Sequence, residues 1–251
     1  MNERHPDWLV PEWDAPGIGA LMTTRAGGAS RAPFDRMNLR FEVGDDPLAV
    51  AANRETFAAA CGARPAWLDQ VHGARVVRLR GMQAVDAPAD ASVTTEPGIA
   101  CVVQVADCLP VLFAADAARA VGAAHAGWRG LAGGVLEATL AALCDAAGCA
   151  PAQVQAWLGA GIGAQHFEVG ADVLAAFDIA SGAQHFRPTV VGKWLADLPG
   201  LAHDRLRAAG VERISGGAWC TYTDASRFFS YRRDRVTGRM AAAVWIERGG
   251  A

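Results

Sequence analysis

The stretch Ile99-Ala100-Cys101-Val102-Val103-Gln104-Val105-Ala106-Asp107-Cys108-Leu109-Pro110-Val111-Leu112-Phe113-Ala114-Ala115 sets the architecture. It holds two nearly unbroken apolar runs, 99–105 and 111–115, separated by a polar corner at Asp107-Cys108. Half-exposed strands alternate apolar and polar residues, so short continuous runs read as strands buried on both faces. Working outward, further strands are expected at 120–125, 66–71 and 75–80. Another at 18–24 closes on the turn Arg25-Ala26-Gly27-Gly28, one at 154–158 leads into a glycine-rich segment, and one at 240–247 ends the pattern.

Helices fill the gaps. Asp46-Pro47 starts one that runs through Cys61, with proline at its first position and Gly62 just past its end. Leu131, Val135, Leu136, Leu140 and Leu143 recur at helical spacing over 131–147, up to Gly148. Two more helices are expected at 171–178 and 194–209. Strands outnumber helices, which predicts an α/β fold of the α+β type, a single domain with a mixed β-sheet core covered by helices. The 251 residues fit one large domain without repeats or linkers.

Composition narrows the partners. A hydrophobic content of 52% supplies a core, while a net charge of −3 argues against non-specific nucleic-acid or acidic-membrane binding. No stretch is long and apolar enough to span a bilayer, and residues 1–7 lack a signal-peptide pattern, so the cytoplasm is the expected location. In that compartment the six cysteines read as thiols, not a disulfide framework. Lys193 is the only lysine in a chain otherwise rich in arginine.

Three islands carry potential metal ligands at strand–loop junctions: Gln70-Val71-His72-Gly73, Ala106-Asp107-Cys108-Leu109-Pro110 and His125-Ala126-Gly127-Trp128-Arg129-Gly130. Loops at the carboxyl ends of strands are where α/β proteins assemble sites. Two imidazoles and a thiolate suit zinc and leave the fourth tetrahedral position open, as in catalytic centres. The same residues could instead be a core thiol and two hydrogen-bonded turn histidines, because no compact spacing such as C-x-x-C or H-E-x-x-H ties them together. The helix starting near Leu131 would turn its N-terminus toward the site, and such ends favour anions.

In this order the islands resemble the bacterial laccase-domain polyphenol oxidase proteins, also called the peptidoglycan editing factor or purine nucleoside phosphorylase family. The resemblance spans residues 23–246. It rests on Thr23-Thr24-Arg25-Ala26-Gly27-Gly28, Asn38, Val43-Gly44-Asp45-Asp46, the three islands, Ala89-Asp90-Ala91 and Phe167-Glu168-Val169-Gly170. The tail Phe228-Phe229-Ser230-Tyr231-Arg232-Arg233-Asp234 with Thr237-Gly238-Arg239 completes it. It implies that residues 1–251 form one domain of this type and that His72, Cys108 and His125 are zinc ligands. It also implies phosphorolysis of adenosine, inosine or methylthioadenosine, with adenosine deamination as a second activity. Ala160 and Ala164 stand where the family often has proline, and Arg40 and Arg235 where it often has glycine.

These activities ask for specific groups. Deamination needs activated water and a proton shuttle, and the joint H-x-E and P-C-x-x-C signature of nucleobase deaminases is incomplete here, because no P-C-x-x-C occurs. Asp107, beside Cys108, is the catalytic candidate for handling the proton or orienting the ligand; a loop-capping aspartate is the alternative. Phosphorolysis needs an anion pocket, for which Arg129 and Arg25 are the candidates. Arg232, Arg233 and Arg239 form a second cluster, either substrate-binding, with Arg233 in contact, or a solvated face. Gln70 would meet a purine edge or orient His72.

A multicopper oxidase needs many imidazoles, whereas this chain has six histidines and no H-x-H pair. Copper could still occupy a His₂Cys site in vitro and give weak phenol oxidation. Two other readings remain open. In one, Cys108 is a nucleophile and His125 its base, in a cysteine hydrolase or amidase acting on peptidoglycan precursors. In the other, the metal is structural and the domain only binds a partner.

Overall fold

The computed structural model describes residues 4–81, 87–177 and 183–248. Its strands are β1 (Ile18–Met22), β2 (Arg64–Ala66), β3 (Val76–Arg78), β4 (Ala91–Thr94), β5 (Ile99–Val105), β6 (Leu109–Ala115), β7 (Val121–Ala126), β8 (Val154–Leu158), β9 (Glu168–Gly170), β10 (Phe186–Pro188), β11 (Lys193–Ala196), β12 (Arg213–Gly216) and β13 (Met240–Ile246). The helices are α1 (Pro47–Cys61), α2 (Trp128–Ala132), α3 (Val135–Ala147), α4 (Ala171–Ala176), α5 (Leu198–Ala208) and α6 (Tyr231–Asp234).

Two mixed sheets stack face to face. One has the order β1-β13-β5-β2 and the other β12-β8-β6-β7-β4-β3; β9 to β11 form a small third sheet. Val103 and Val105 of β5 and Ala242 and Val244 of β13 pack between the large sheets against Leu112, Ala123 and Trp157. The opposite side chains, Ala100 and Val102 with Leu21, Ala241 and Ala243, lie under Phe57 and Cys61 of α1. On the far side, Val111 and Phe113 of β6 meet Leu136, Leu140 and Leu143 of α3 and Leu201 and Leu206 of α5. The chain is therefore layered helix, sheet, sheet, helix.

Every residue of β5 and β6 is buried, as the apolar runs predict. The reason is this sheet-on-sheet layering, since β6 pairs antiparallel with both neighbours. Helix α1 begins where Asp46 accepts the Leu48 N–H and ends at Gly62, whose φ of 61° suits glycine.

Other expectations need correction. The segment expected as one helix over 194–209 is strand β11 followed by α5, because the Asp197 side chain accepts the Gly200 N–H and caps a helix with proline in its first turn. The helix expected over 131–147 is split: α2 starts earlier, and Gly134, at φ 86°, separates it from α3. The strand expected at 66–71 is displaced: β2 covers Arg64–Ala66 and 67–71 is loop, while the strand expected at 75–80 shrinks to β3. The helix expected over 171–178 is α4, and residue 178 lies outside the described residues. No helix among the described residues is long and apolar enough to cross a membrane.

Candidate metal centre and cavity

His72, Cys108 and His125 converge. Their ligand atoms all lie within 4.8 Å of one another, the only such group of His, Cys, Asp or Glu among the described residues. His125 ends β7, Cys108 sits in the corner between β5 and β6, and His72 lies on the loop before β3. The two imidazole rings meet edge to face, with centroids 4.8 Å apart. Gly127 makes room for this, because a Cβ there would stand 2.9 Å from the Cys108 sulfur and 3.0 Å from His72 Cδ2.

One buried carboxylate organises two of the three. Asp90 accepts the N–H groups of Val71 (3.2 Å), His72 (2.8 Å) and Gly73 (2.7 Å). It also accepts Nδ1–H of His125 at 2.8 Å, which turns Nε2 of that ring toward the cluster. These bonds hold His72 at φ 61°, a left-handed conformation uncommon for a side-chain-bearing residue. Burial alone would push the Asp90 carboxyl up, but the His125 hydrogen bond and the backbone N–H groups hold it below the ordinary carboxylate range. Burial likewise disfavours a charged Cys108, yet the charge and hydrogen bond of His125, joined by His72, lower its thiol pKa. His125 is raised in turn by Cys108 and Asp90 against the effect of burial. The donor set thus fits a thiophilic divalent metal: a sulfur held toward its thiolate form, a ring oriented by a carboxylate, and a second ring on a pinned loop.

The centre lies at a cavity of about 470 Å³, within the size range of small-molecule sites. Ile162, Phe167 and Tyr231 form apolar wall, and Arg40, Arg232 and Arg239 line it as well. Asp107 also lines the cavity, at φ 91°. Its carboxylate accepts the Thr221 hydroxyl and the Arg232 backbone N–H, both at 2.6 Å.

Four expected substrate contacts fall elsewhere or are already engaged. The Arg25 fork closes on the Asp35 carbonyl (2.8 Å), the Asp35 carboxylate (3.2 Å) and the Ala225 carbonyl (2.8 Å), over the Phe229 ring. Arg233 donates to the carbonyls of Thr221 (2.7 Å), Tyr222 (2.9 Å) and Phe228 (2.9 Å). Arg129 is exposed on α2 and lies over Trp128. None of these three arginines lines the cavity. Gln70 does, and both ends of its amide bond to the Gln104 backbone, at 2.9 and 2.8 Å, which ties the loop before His72 to β5.

Two contributors escaped the sequence reading. Asp90 entered only within the Ala89-Asp90-Ala91 motif, with no role assigned, and Thr221 stands out only as a threonine in a polar loop. Nothing local marks either as a partner of the site.

Comparison with known proteins agrees with this picture. The family model described as multi-copper polyphenol oxidoreductase laccase matches residues 19–247. A Pseudomonas aeruginosa protein named purine nucleoside phosphorylase is 47% identical over 244 residues, covering 96% of this chain and 98% of that one. An Escherichia coli protein named purine nucleoside phosphorylase YfiH is 46% identical over 244 residues, covering 95% and 98%. A solved Neisseria meningitidis structure superposes with a TM-score of 0.90 at 44% identity, covering 96% of this chain and 100% of that chain. YlmD from Geobacillus stearothermophilus gives 0.89 at 33% identity, covering 98% of each. With a model match over nearly its whole length and relatives this similar, the chain belongs to the multi-copper polyphenol oxidoreductase laccase family.

Proposed function

We propose that this chain is a zinc-dependent purine nucleoside phosphorylase with adenosine deamination as a second activity. The observation that carries the reading is the His72, Cys108 and His125 cluster opening on a cavity lined by apolar and arginine side chains. The names of the relatives support the substrate class. His72, Cys108 and His125 would hold the metal, with Asp90 orienting His125. Bound there, zinc would supply Lewis-acid polarisation of a substrate heteroatom or of water.

The chain's own residues supply the rest. Phe167, Tyr231 and Ile162 offer an apolar wall for a purine. In phosphorolysis the bond from ribose C1′ to the purine nitrogen breaks, a bond from C1′ to a phosphate oxygen forms, and the purine leaves as the free base with a proton. Cavity arginines would neutralise the phosphate. In deamination a water oxygen bonds to purine C6 and the C6–N bond breaks, and Asp107, fixed by Thr221 and the Arg232 N–H, would take the proton from the attacking water and pass it to the departing ammonia.

The family description does not carry over as multicopper chemistry. A multicopper oxidase draws on several imidazole-rich centres, and only one candidate group occurs among the described residues. Copper bound at that group in vitro could still give phenol oxidation.

Metal analysis combined with product analysis on adenosine tests the reading. We expect about one zinc per chain, adenine and ribose 1-phosphate when phosphate is present, and inosine without it. Phosphate-independent adenine release, or none at all, would reject phosphorolysis.

One observation favours a second reading. Asp90, His125 and Cys108 form a carboxylate–imidazole–thiol series of the kind that activates a cysteine nucleophile in hydrolases. Under that reading Cys108→Ala keeps its zinc and loses activity, and the native thiol alkylates readily.

A further inference from the structure

The cavity carries more positive charge than an uncharged nucleoside calls for. Arg40 and Arg239 both line it, and one buried side chain ties their backbones together. Asn38 Oδ1 accepts the N–H of Arg40 at 3.1 Å and of Arg239 at 2.9 Å. Its amide nitrogen donates to the Arg40 carbonyl (3.0 Å) and the Asp45 carboxylate (2.9 Å). The Leu39 N–H adds a bond to the Arg239 carbonyl at 3.1 Å. Two like charges, far apart in the chain, are thus built into one wall.

Their charges are poorly compensated. Arg239 spends Nη1 on the Thr237 and Gly238 carbonyls and has no carboxylate ion pair among the described residues. Burial first, and then the Arg40 charge, disfavour its protonated form, against the favourable charges of Cys108, Asp107 and Tyr231. The ionic partner of Arg40 is Glu42, at 3.2 Å, whose side chain is 68% exposed. Glu42 lines the same cavity, and because its carboxylate is mostly exposed a phosphate can displace it from Arg40. Guanidinium forks with spare N–H groups in a sheltered cavity match the oxygens of a phosphate.

We propose that Arg40 and Arg239 form the subsite for the inorganic phosphate that phosphorolysis consumes, an assignment that rests on the phosphorylase reading. The uncharged nucleoside and the phosphate then occupy the cavity together, with the phosphate along the arginine wall.

Titration calorimetry of the zinc-loaded protein with inorganic phosphate tests this directly, without reference to turnover. The wild type should bind phosphate. Arg239→Gln should weaken binding by about ten- to a hundredfold and Arg40→Gln by a smaller factor, with zinc content unchanged; the melting temperature should hold in Arg40→Gln and fall in Arg239→Gln, which also loses the bonds to the Thr237 and Gly238 carbonyls. Arg239→Lys, which keeps the charge and loses the fork, should fall between wild type and Arg239→Gln. Should Arg239→Gln fail to fold, Arg40→Gln and Arg239→Lys still decide the matter.

Adenosine 5′-monophosphate serves as the second phosphate source, and its affinity should change less than that of inorganic phosphate. No phosphate binding by the wild type, equal phosphate affinity in the variants, or loss confined to the monophosphate would each overturn the assignment. Phosphate binding that weakens as expected in a protein releasing no adenine would leave an oxyanion subsite standing and reject the phosphorylase reading alone.

Discussion

Arginines occupy two neighbouring regions of this molecule and do opposite things. At the corner between the turn after β1 and the loop before α6, Arg25 and Arg233 point their forks at backbone carbonyls of Asp35, Ala225, Thr221, Tyr222 and Phe228. Those carbonyls belong to loops without sheet partners, and the guanidinium groups stand in for a hydrogen-bond ladder. In the cavity, Arg40 and Arg239 are anchored by their backbones and only part of each fork is engaged, Arg239 Nη1 by two carbonyls and Arg40 Nε by Glu42, which leaves the remaining N–H groups for a ligand. An arginine's role therefore follows from what takes its five donors. Corner arginines should govern stability, and cavity arginines binding.

The widest gap between the regions should appear in metal content. Cys108→Ala should lower zinc affinity by more than about a hundredfold, beyond what loss of a supporting residue causes. Arg233→Ala should keep its zinc while losing about 3 kcal/mol of stability, because it orphans three carbonyls beside a half-buried helix end. Metal analysis and urea denaturation of the two proteins separate these outcomes. If Arg233→Ala lost zinc as Cys108→Ala does, the corner and the cavity would be one unit.

Arg25→Ala sharpens the contrast at smaller scale. It removes the bonds to Asp35 and Ala225 and the contact over Phe229. A loss of about 2 kcal/mol, with phosphate affinity within a factor of about two, is expected. Weakened phosphate binding without destabilisation would return Arg25 to the cavity set.

Arg129→Ala should do least. The side chain is exposed and meets mainly Trp128 on the same short helix, so stability should move by no more than about 0.5 kcal/mol. Adenine and inosine production should both stay near wild type. A selective fall in phosphate-dependent adenine release would show that α2 contributes to the anion site after all.

Legibility followed the range of the interactions. The caps of α1 are local, so Asp46 and Gly62 announced them. Asp197 carried the same kind of signal, but the apolar residues of β11 ran into α5 and masked the boundary. His72, Cys108 and His125 were legible as ligand types at strand ends, and the fold brings them within 4.8 Å. The arginines were not, because Arg25 and Arg129 sit in turns that look equally suited to a phosphate. Only the partners of their donors distinguish them.

By itself the sequence determined which segments must be buried on both faces, where α1 starts and stops, and which three residues could share a metal. Each of these follows from side-chain chemistry within a few positions. Tertiary structure alone decided that two sheets stack, that Asp90 orients His125, and that Arg239 rather than Arg25 lines the cavity. Those outcomes hang on bonds such as Asn38 to Arg239 and Arg25 to Ala225, which join positions about 200 apart in the chain. A hydrogen bond forms with whichever group lies at about 3 Å, and that distance exists only after the layers have packed.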